Sequence, residues 1–151
     1  MATPTLFSDK AANAFVAKNL PQNVMPGSFD VTVPAATAAD TLIGLYRFQK
    51  GFSLMNMAIS VEDLDTGATV TLSFGYVYDD NTIADDVPDA FYTNIGTAQG
   101  GGKFLWPVSA GQLTGESFVA EDSGYLSVTV TAGPTTTQGD IKGVIQFTYD
   151  L

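Results

Sequence analysis

The chain has 151 residues, 45% of them hydrophobic, with 16 acidic against 6 basic side chains and a formal net charge of −10. A chain of this length buries about 68–70% of the surface that its unfolded form exposes, enough for one self-sufficient core. It contains neither Cys nor His, which removes disulfides, thiolate metal sites, Ser-His-Asp and Cys-His catalysis, and the commonest zinc and iron ligand.

The acidic balance argues against nucleic acid as a partner, because phosphate binding depends on Lys and Arg. No apolar run approaches the roughly 18 residues of a membrane span, so no membrane partner is expected. The opening Met1-Ala2-Thr3-Pro4-Thr5 lacks the basic start and apolar stretch of a signal peptide, and the product is expected to be made and kept in a cytoplasm.

Residues 1–27 read as an N-terminal arm. Phe7, Ala11, Ala14, Phe15 and Lys18 fall at helical spacing behind a cap residue at Ser8, a pattern that fits either a short helix or an extended arm. Asp9 against Lys10 and Lys18 gives this arm +1, so the remaining residues carry −11 of the total −10.

From residue 28 onward the period of two dominates, and residues 28–151 read as one all-β domain. Phe29, Val31 and Val33 share a face; Val70, Leu72, Phe74, Tyr76 and Tyr78 alternate with Thr69, Thr71, Ser73, Gly75 and Val77. Leu126, Val128, Val130 and Ala132, and then Ile141, Gly143, Ile145, Phe147 and Tyr149, repeat the pattern near the end. These are half-buried strands. Weaker strands are predicted at 41–48, 52–61, 103–108 and 117–120, about eight in all, and that count suggests a β-sandwich of jelly-roll type. In the 52–61 segment Met55, Met57, Ile59 and Val61 oppose Phe52, Leu54 and Ala58. Such two-sided apolarity fits either a contact between subunits or a doubly buried strand. Residues 85–96 break the pattern: acids and Pro88 open the segment, apolar residues follow at helical spacing and Gly96 closes it. This predicts one short helix in a long connection.

Asp65-Thr66-Gly67-Ala68 matches the core of the aspartic protease loop. That chemistry needs two carboxylates sharing a proton, and Glu62 and Asp63 would add like charge. The loop reads better as a hairpin turn with Gly67 at positive φ, and Asp122-Ser123-Gly124 as a second such turn. The acids Asp79, Asp80, Asp85, Asp86 and Asp89 lack EF-hand spacing, since Ile83 and Ala84 stand where a ligand and the Gly belong, and read as a solvated loop. Gly100-Gly101-Gly102-Lys103 departs from a phosphate loop at Thr97 and Phe104. Glu116 and Glu121 fall on opposite strand faces, unsuited to a glycosidase pair. No metal and no cofactor are expected. Phe91, Tyr92 and Trp106 could form a sugar-stacking platform, although aromatics in sandwiches are more often core.

The N-terminal Thr3-Pro4-Thr5-Leu6-Phe7-Ser8-Asp9-Lys10-Ala11-Ala12-Asn13 begins a wider likeness. It continues through Phe48-Gln49-Lys50-Gly51-Phe52, Thr71-Leu72-Ser73-Phe74-Gly75-Tyr76 and the closing segment from Gly139-Asp140-Ile141 to Thr148-Tyr149-Asp150. Together they resemble the small head decoration, or cement, proteins of tailed bacteriophages. The resemblance implies a non-enzymatic virion protein on the outer capsid surface, bound to the major capsid protein, bridging capsomers, and forming a homo-oligomer with a trimer favoured. Under that reading Leu6, Phe7, Lys10, Phe15 and Lys18 of the arm contact the capsid or an adjacent subunit, the equal alternative being that the arm packs on its own domain. The alternatives are a carbohydrate-binding module on a virion that uses Phe91, Tyr92 and Trp106, and, more remotely, a dimeric aspartic protease that uses Asp65.

Overall fold

The computed structural model describes residues 6–7, 24–82, 85–106 and 118–149. Among these are the strands β1 (Leu6–Phe7), β2 (Met25–Val33), β3 (Leu42–Phe48), β4 (Phe52–Val61), β5 (Thr71–Tyr78), β6 (Val87–Ile95), β7 (Gly102–Trp106), β8 (Gly124–Ala132) and β9 (Gly139–Tyr149), with a 3-10 turn at Gly96–Gln99. Lys10, Phe15 and Lys18 lie outside the described residues.

The pairing is nested. β2 runs antiparallel to β9, β3 to β8, β4 to β7 and β5 to β6, so the chain from β2 to β9 is one long ribbon folded back on itself. Pairing of β4 with β9 and of β5 with β8 then rolls that ribbon into two sheets. Their orders are β2-β9-β4-β7 and β1-β3-β8-β5-β6, the arrangement of a jelly roll. β1 joins parallel to β3, with Leu6 opposite Ile43 and Phe7 opposite Gly44.

The alternating residues fill the space between the sheets as their period requires. Phe29, Val31 and Val33 of β2, Leu72 and Phe74 of β5, Leu126, Val128 and Val130 of β8, and Ile141, Ile145 and Phe147 of β9 are all buried. At one end of the sandwich an aromatic cluster crosses between the sheets: Phe52 stands 4.9 Å from Phe147 and 5.3 Å from Phe48, and Tyr76 stacks on Phe118 at 4.1 Å. Each such buried ring contributes about 1.5–3 kcal/mol by leaving water, with a further increment for offset and edge-on geometry.

Three expectations from the sequence are corrected. Residues 85–96 form β6 and the start of the 3-10 turn instead of a helix. An isolated helix of that length is marginal, whereas β5 offers an open ladder and the inward side of the segment carries Phe91 into the core. In β4, a bulge between Leu54 and Asn56 shifts the register. Phe52, Leu54, Met57, Ile59 and Val61 therefore all point inward and are buried, while Met55 is exposed and Ala58 turns outward. Segment 117–120 reduces, among its described residues, to a single bridge between Val119 and Ser53.

β5 is buried on both sides, since Ser73 and Val77 on its outer face are as covered as Leu72 and Phe74 on its inner one. The cause is β6, whose first residues cross over Gly75. A Cβ on Gly75 would lie 2.1 Å from the carbonyl oxygen of Val87 and 2.7 Å from the amide nitrogen of Asp89. Those are backbone atoms that cannot swing away. Gly75→Ala is therefore expected to lower the unfolding free energy by about 1–3 kcal/mol through overpacking, measured by chemical denaturation. Unchanged stability would mean that β6 does not cross there.

Candidate functional site

The Asp65-Thr66-Gly67 loop forms no hairpin. It carries the chain from β4 in the four-stranded sheet to β5 in the other, and Gly67 is absent from the positive-φ residues, which here include Gly51 and Gly101. The work assigned to glycine flexibility is done by the carboxylate. Asp65 is 2% exposed and accepts hydrogen bonds from the backbone N–H groups of Gly67, Thr69 and Val70 at 2.9, 2.8 and 3.0 Å. The hydroxyls of Thr69 and Thr136 donate to it as well, both at 3.1 Å.

Thr136 belongs to the β8–β9 connection, so the carboxylate ties two inter-sheet crossings together. Amide donors favour the charged form and hold the Asp65 carboxyl well below the usual carboxylate range, chiefly through Val70, Thr69 and Gly67. Both oxygens are occupied by their own chain, which leaves this carboxylate a structural clasp. Because its pKa is lowered on folding, the clasp's stabilisation is present above the unfolded pKa of about 3.9. It is lost as pH falls through the lower folded value. Asp65→Asn is expected to lower the melting temperature at pH 7, with the gap from the native chain narrowing as pH drops below about 4. A gap independent of pH would show that the charge is not what the loop holds.

The three aromatics considered for sugar stacking are packed inward. Phe91 and Trp106 are buried, with ring centroids 4.8 Å apart. Tyr92 rests edge-on against Phe104 at 4.6 Å and donates its hydroxyl to the carbonyl of Leu105. Together they bind β6 to β7 across the gap between sheets, and the rings of Phe91 and Trp106 present no flat face to solvent. The acidic loop after β5 is partly structured. Arg47 holds Asp79 through both guanidinium nitrogens while lying 4.6 Å over the Tyr125 ring. Asp86 accepts the Tyr78 amide at 2.7 Å, and Asp80 accepts that of Thr82 at 2.8 Å.

The feature that sequence reading missed lies on the outer face of the four-stranded sheet. Register places Ser28, Val144, Ala58 and Leu105 side by side in one row. Val144 is 58% exposed and Leu105 63%. The next row holds Asp30, Lys142, Ser60 and Lys103. On the other side come Gln146 and Asn56, joined by a 2.7 Å hydrogen bond. Beyond them Met55 stands at the bulge, and Val119 lies opposite Ser53. Four of the five exposed large hydrophobics among the described residues, Met55, Leu105, Val119 and Val144, thus share this face, and the fifth, Val24, immediately precedes β2. Two shallow depressions on the face share Ala58, Leu105 and Val144. Val144, Ala58 and Leu105 form a short apolar row, which the Asn56–Gln146 pair separates from Met55 and Val119, and exposed apolar surface rimmed by polar groups is a candidate contact surface. Its signal in the sequence was Leu105 and Val144 on the polar parity of their strands, visible only once both strands were known to share a sheet. Among the described residues no group of three or more acids is placed to hold a metal ion.

No family model matches the sequence, and no curated protein matches it. Solved structures that contain chains similar to it include three phage capsids. One comes from the capsid of Ralstonia phage GP4, with a TM-score of 0.72, 20% identity, and coverage of 96% of this chain and 97% of that one. The fold is that of a phage capsid chain. A second comes from the cyanophage Pam1 capsid asymmetric unit, at TM-score 0.60 and 15% identity, covering 91% and 92% of the two chains. A third comes from the acid-stable capsid of Helicobacter pylori bacteriophage KHP30, at TM-score 0.51 and 12% identity, covering 85% and 90%. At these identities the likeness shows the fold.

Proposed function

We propose that this chain is a structural protein of a tailed-phage head, a decoration or cement protein that binds the outer capsid surface and bridges neighbouring capsomers. The observation that carries the reading is the end-to-end correspondence with a chain of the GP4 capsid, 96% of one chain on 97% of the other. The outer sheet face supports it, because an exposed apolar patch on a small sandwich suits association better than chemistry. So does the state of Asp65, whose oxygens are consumed within the chain.

In this reading the major capsid protein is the principal partner, and the protein acts as a homo-oligomer, a trimer by preference, on the virion surface after synthesis in the host cytoplasm. The N-terminal arm, through Leu6, Phe7, Lys10, Phe15 and Lys18, makes the capsid contact. Among its described residues, Leu6 and Phe7 pair parallel with β3 and Met25 to Gly27 already run in β2 beside β9.

Heads of the encoding phage prepared without this protein provide the test, titrated with the purified chain and with a truncation lacking residues 1–20. The full chain is expected to co-sediment with heads and saturate at a fixed ratio to capsomers. The truncation, folded by circular dichroism, is expected to bind at least tenfold more weakly, a loss of about 1.4 kcal/mol or more. Failure of the full chain to bind would overturn the decoration reading, and equal binding by the truncation would overturn the role of the arm.

A further inference from the structure

The outer face of the four-stranded sheet gathers two of the chain's basic residues, and its acids Asp30 and Asp140 are both spent on one of them, Lys142. Of the four described basic residues, Arg47, Lys50, Lys103 and Lys142, two stand in the row beside Leu105 and Val144. Lys142 pairs with Asp140 at 3.4 Å and Asp30 at 3.9 Å. Lys103 is exposed and makes no ion pair among the described residues. An unpaired Lys beside an exposed Leu, on a chain with 16 acids, is chemistry aimed at an acidic surface with apolar residues in it.

The same chain carries such a surface. The segment Asp85-Asp86-Val87-Pro88-Asp89-Ala90 interleaves acids with apolar residues, and Asp85, Pro88, Asp89 and Ala90 are exposed. Asp79 and Asp86 are engaged locally by Arg47 and the Tyr78 amide, whereas no ion pair among the described residues engages Asp85 or Asp89. The segment opens β6, an edge strand of the other sheet.

We propose that the Leu105–Val144–Lys103 face docks against the Asp85–Ala90 segment of a second copy of this chain. The two surfaces are unlike, so the contact is head-to-tail, and a head-to-tail contact closes into a ring when its rotation permits. Leu105 and Val144 meet Pro88 and Ala90 at the centre, and Lys103 meets Asp85 and Asp89 at the rim, where charge sets register and association rate. The biological setting rests on the head-protein reading, but the contact is a property of the purified chain and can fail or stand without any capsid.

Light scattering coupled to size exclusion tests it on four full-length chains: native, Lys103→Glu, Asp85→Lys with Asp89→Lys, and all three changes combined. The native chain is expected to form a closed oligomer whose dissociation constant rises with salt. Each one-sided reversal is expected to weaken assembly by about tenfold or more, and the combined swap to restore it. Leu105→Asp is expected to abolish assembly while leaving the melting temperature near that of the native chain, since this side chain is 63% exposed. A native chain that stays monomeric, one-sided reversals that assemble as well as the native chain, or a folded combined swap that fails to reassemble would each overturn the proposal.

Discussion

Closure of the two sheets on a shared aromatic and aliphatic core is the constraint from which the other features follow. Phe48, Phe52, Phe118 and Phe147 bring rings from both sheets and from the segment before β8 into one cluster. Because a strand alternates faces, committing one side of every strand to that cluster fixes which residues stand outside. An apolar residue on the outer parity then has no place in the core. Leu105 and Val144 are such residues, and their exposure is set by the same register that buries Ile59 and Ile145.

Most of the strand framework was legible in the sequence because alternation is a local signal. Residues 28–33, 42–48, 52–61, 71–78, 125–132 and 141–149 of the expected segments fall in strands, and outside the bulged 52–61 segment the inward residues are mostly the alternating apolar ones. The errors occur where a non-local partner decides. The apolar spacing of Val87, Phe91 and Ile95 fits one side of a helix, and only the open ladder of β5 and the pocket beside Trp106 select a strand. The bulge at Met55 reverses the faces of half of β4 through pairing with β9, a strand some ninety residues away along the chain. The candidate face is illegible for the same reason. Its rows are assembled from β2, β4, β7 and β9, and no window of sequence contains more than one of them.

Asp65 shows how a catalytic-looking motif can be spent on folding. The loop crossing between sheets leaves several backbone amides without strand partners, and a buried carboxylate satisfies three of them while reaching Thr136 on the neighbouring crossing. A buried charge is costly unless fully hydrogen-bonded, and here it is. The same solution appears in miniature at Asp80, which accepts both the amide and the hydroxyl of Thr82. Acids in this chain are in part the caps of its long connections, a use that composition alone reads only as surface charge.

A sandwich whose carboxylate motif is internal, and most of whose exposed large apolar residues among those described stand on one sheet, fits the proposed reading of a chain held against other proteins. The central claim, that it is held on the outside of a phage head among copies of itself, is tested most directly by imaging heads that carry the bound protein by electron cryomicroscopy with averaging over capsid symmetry. Jelly-roll density is expected on the outer surface at capsomer junctions, with the Leu105–Val144 face of each copy closed against a neighbouring copy. Density inside the shell, or isolated copies with that face open to solvent, would contradict it.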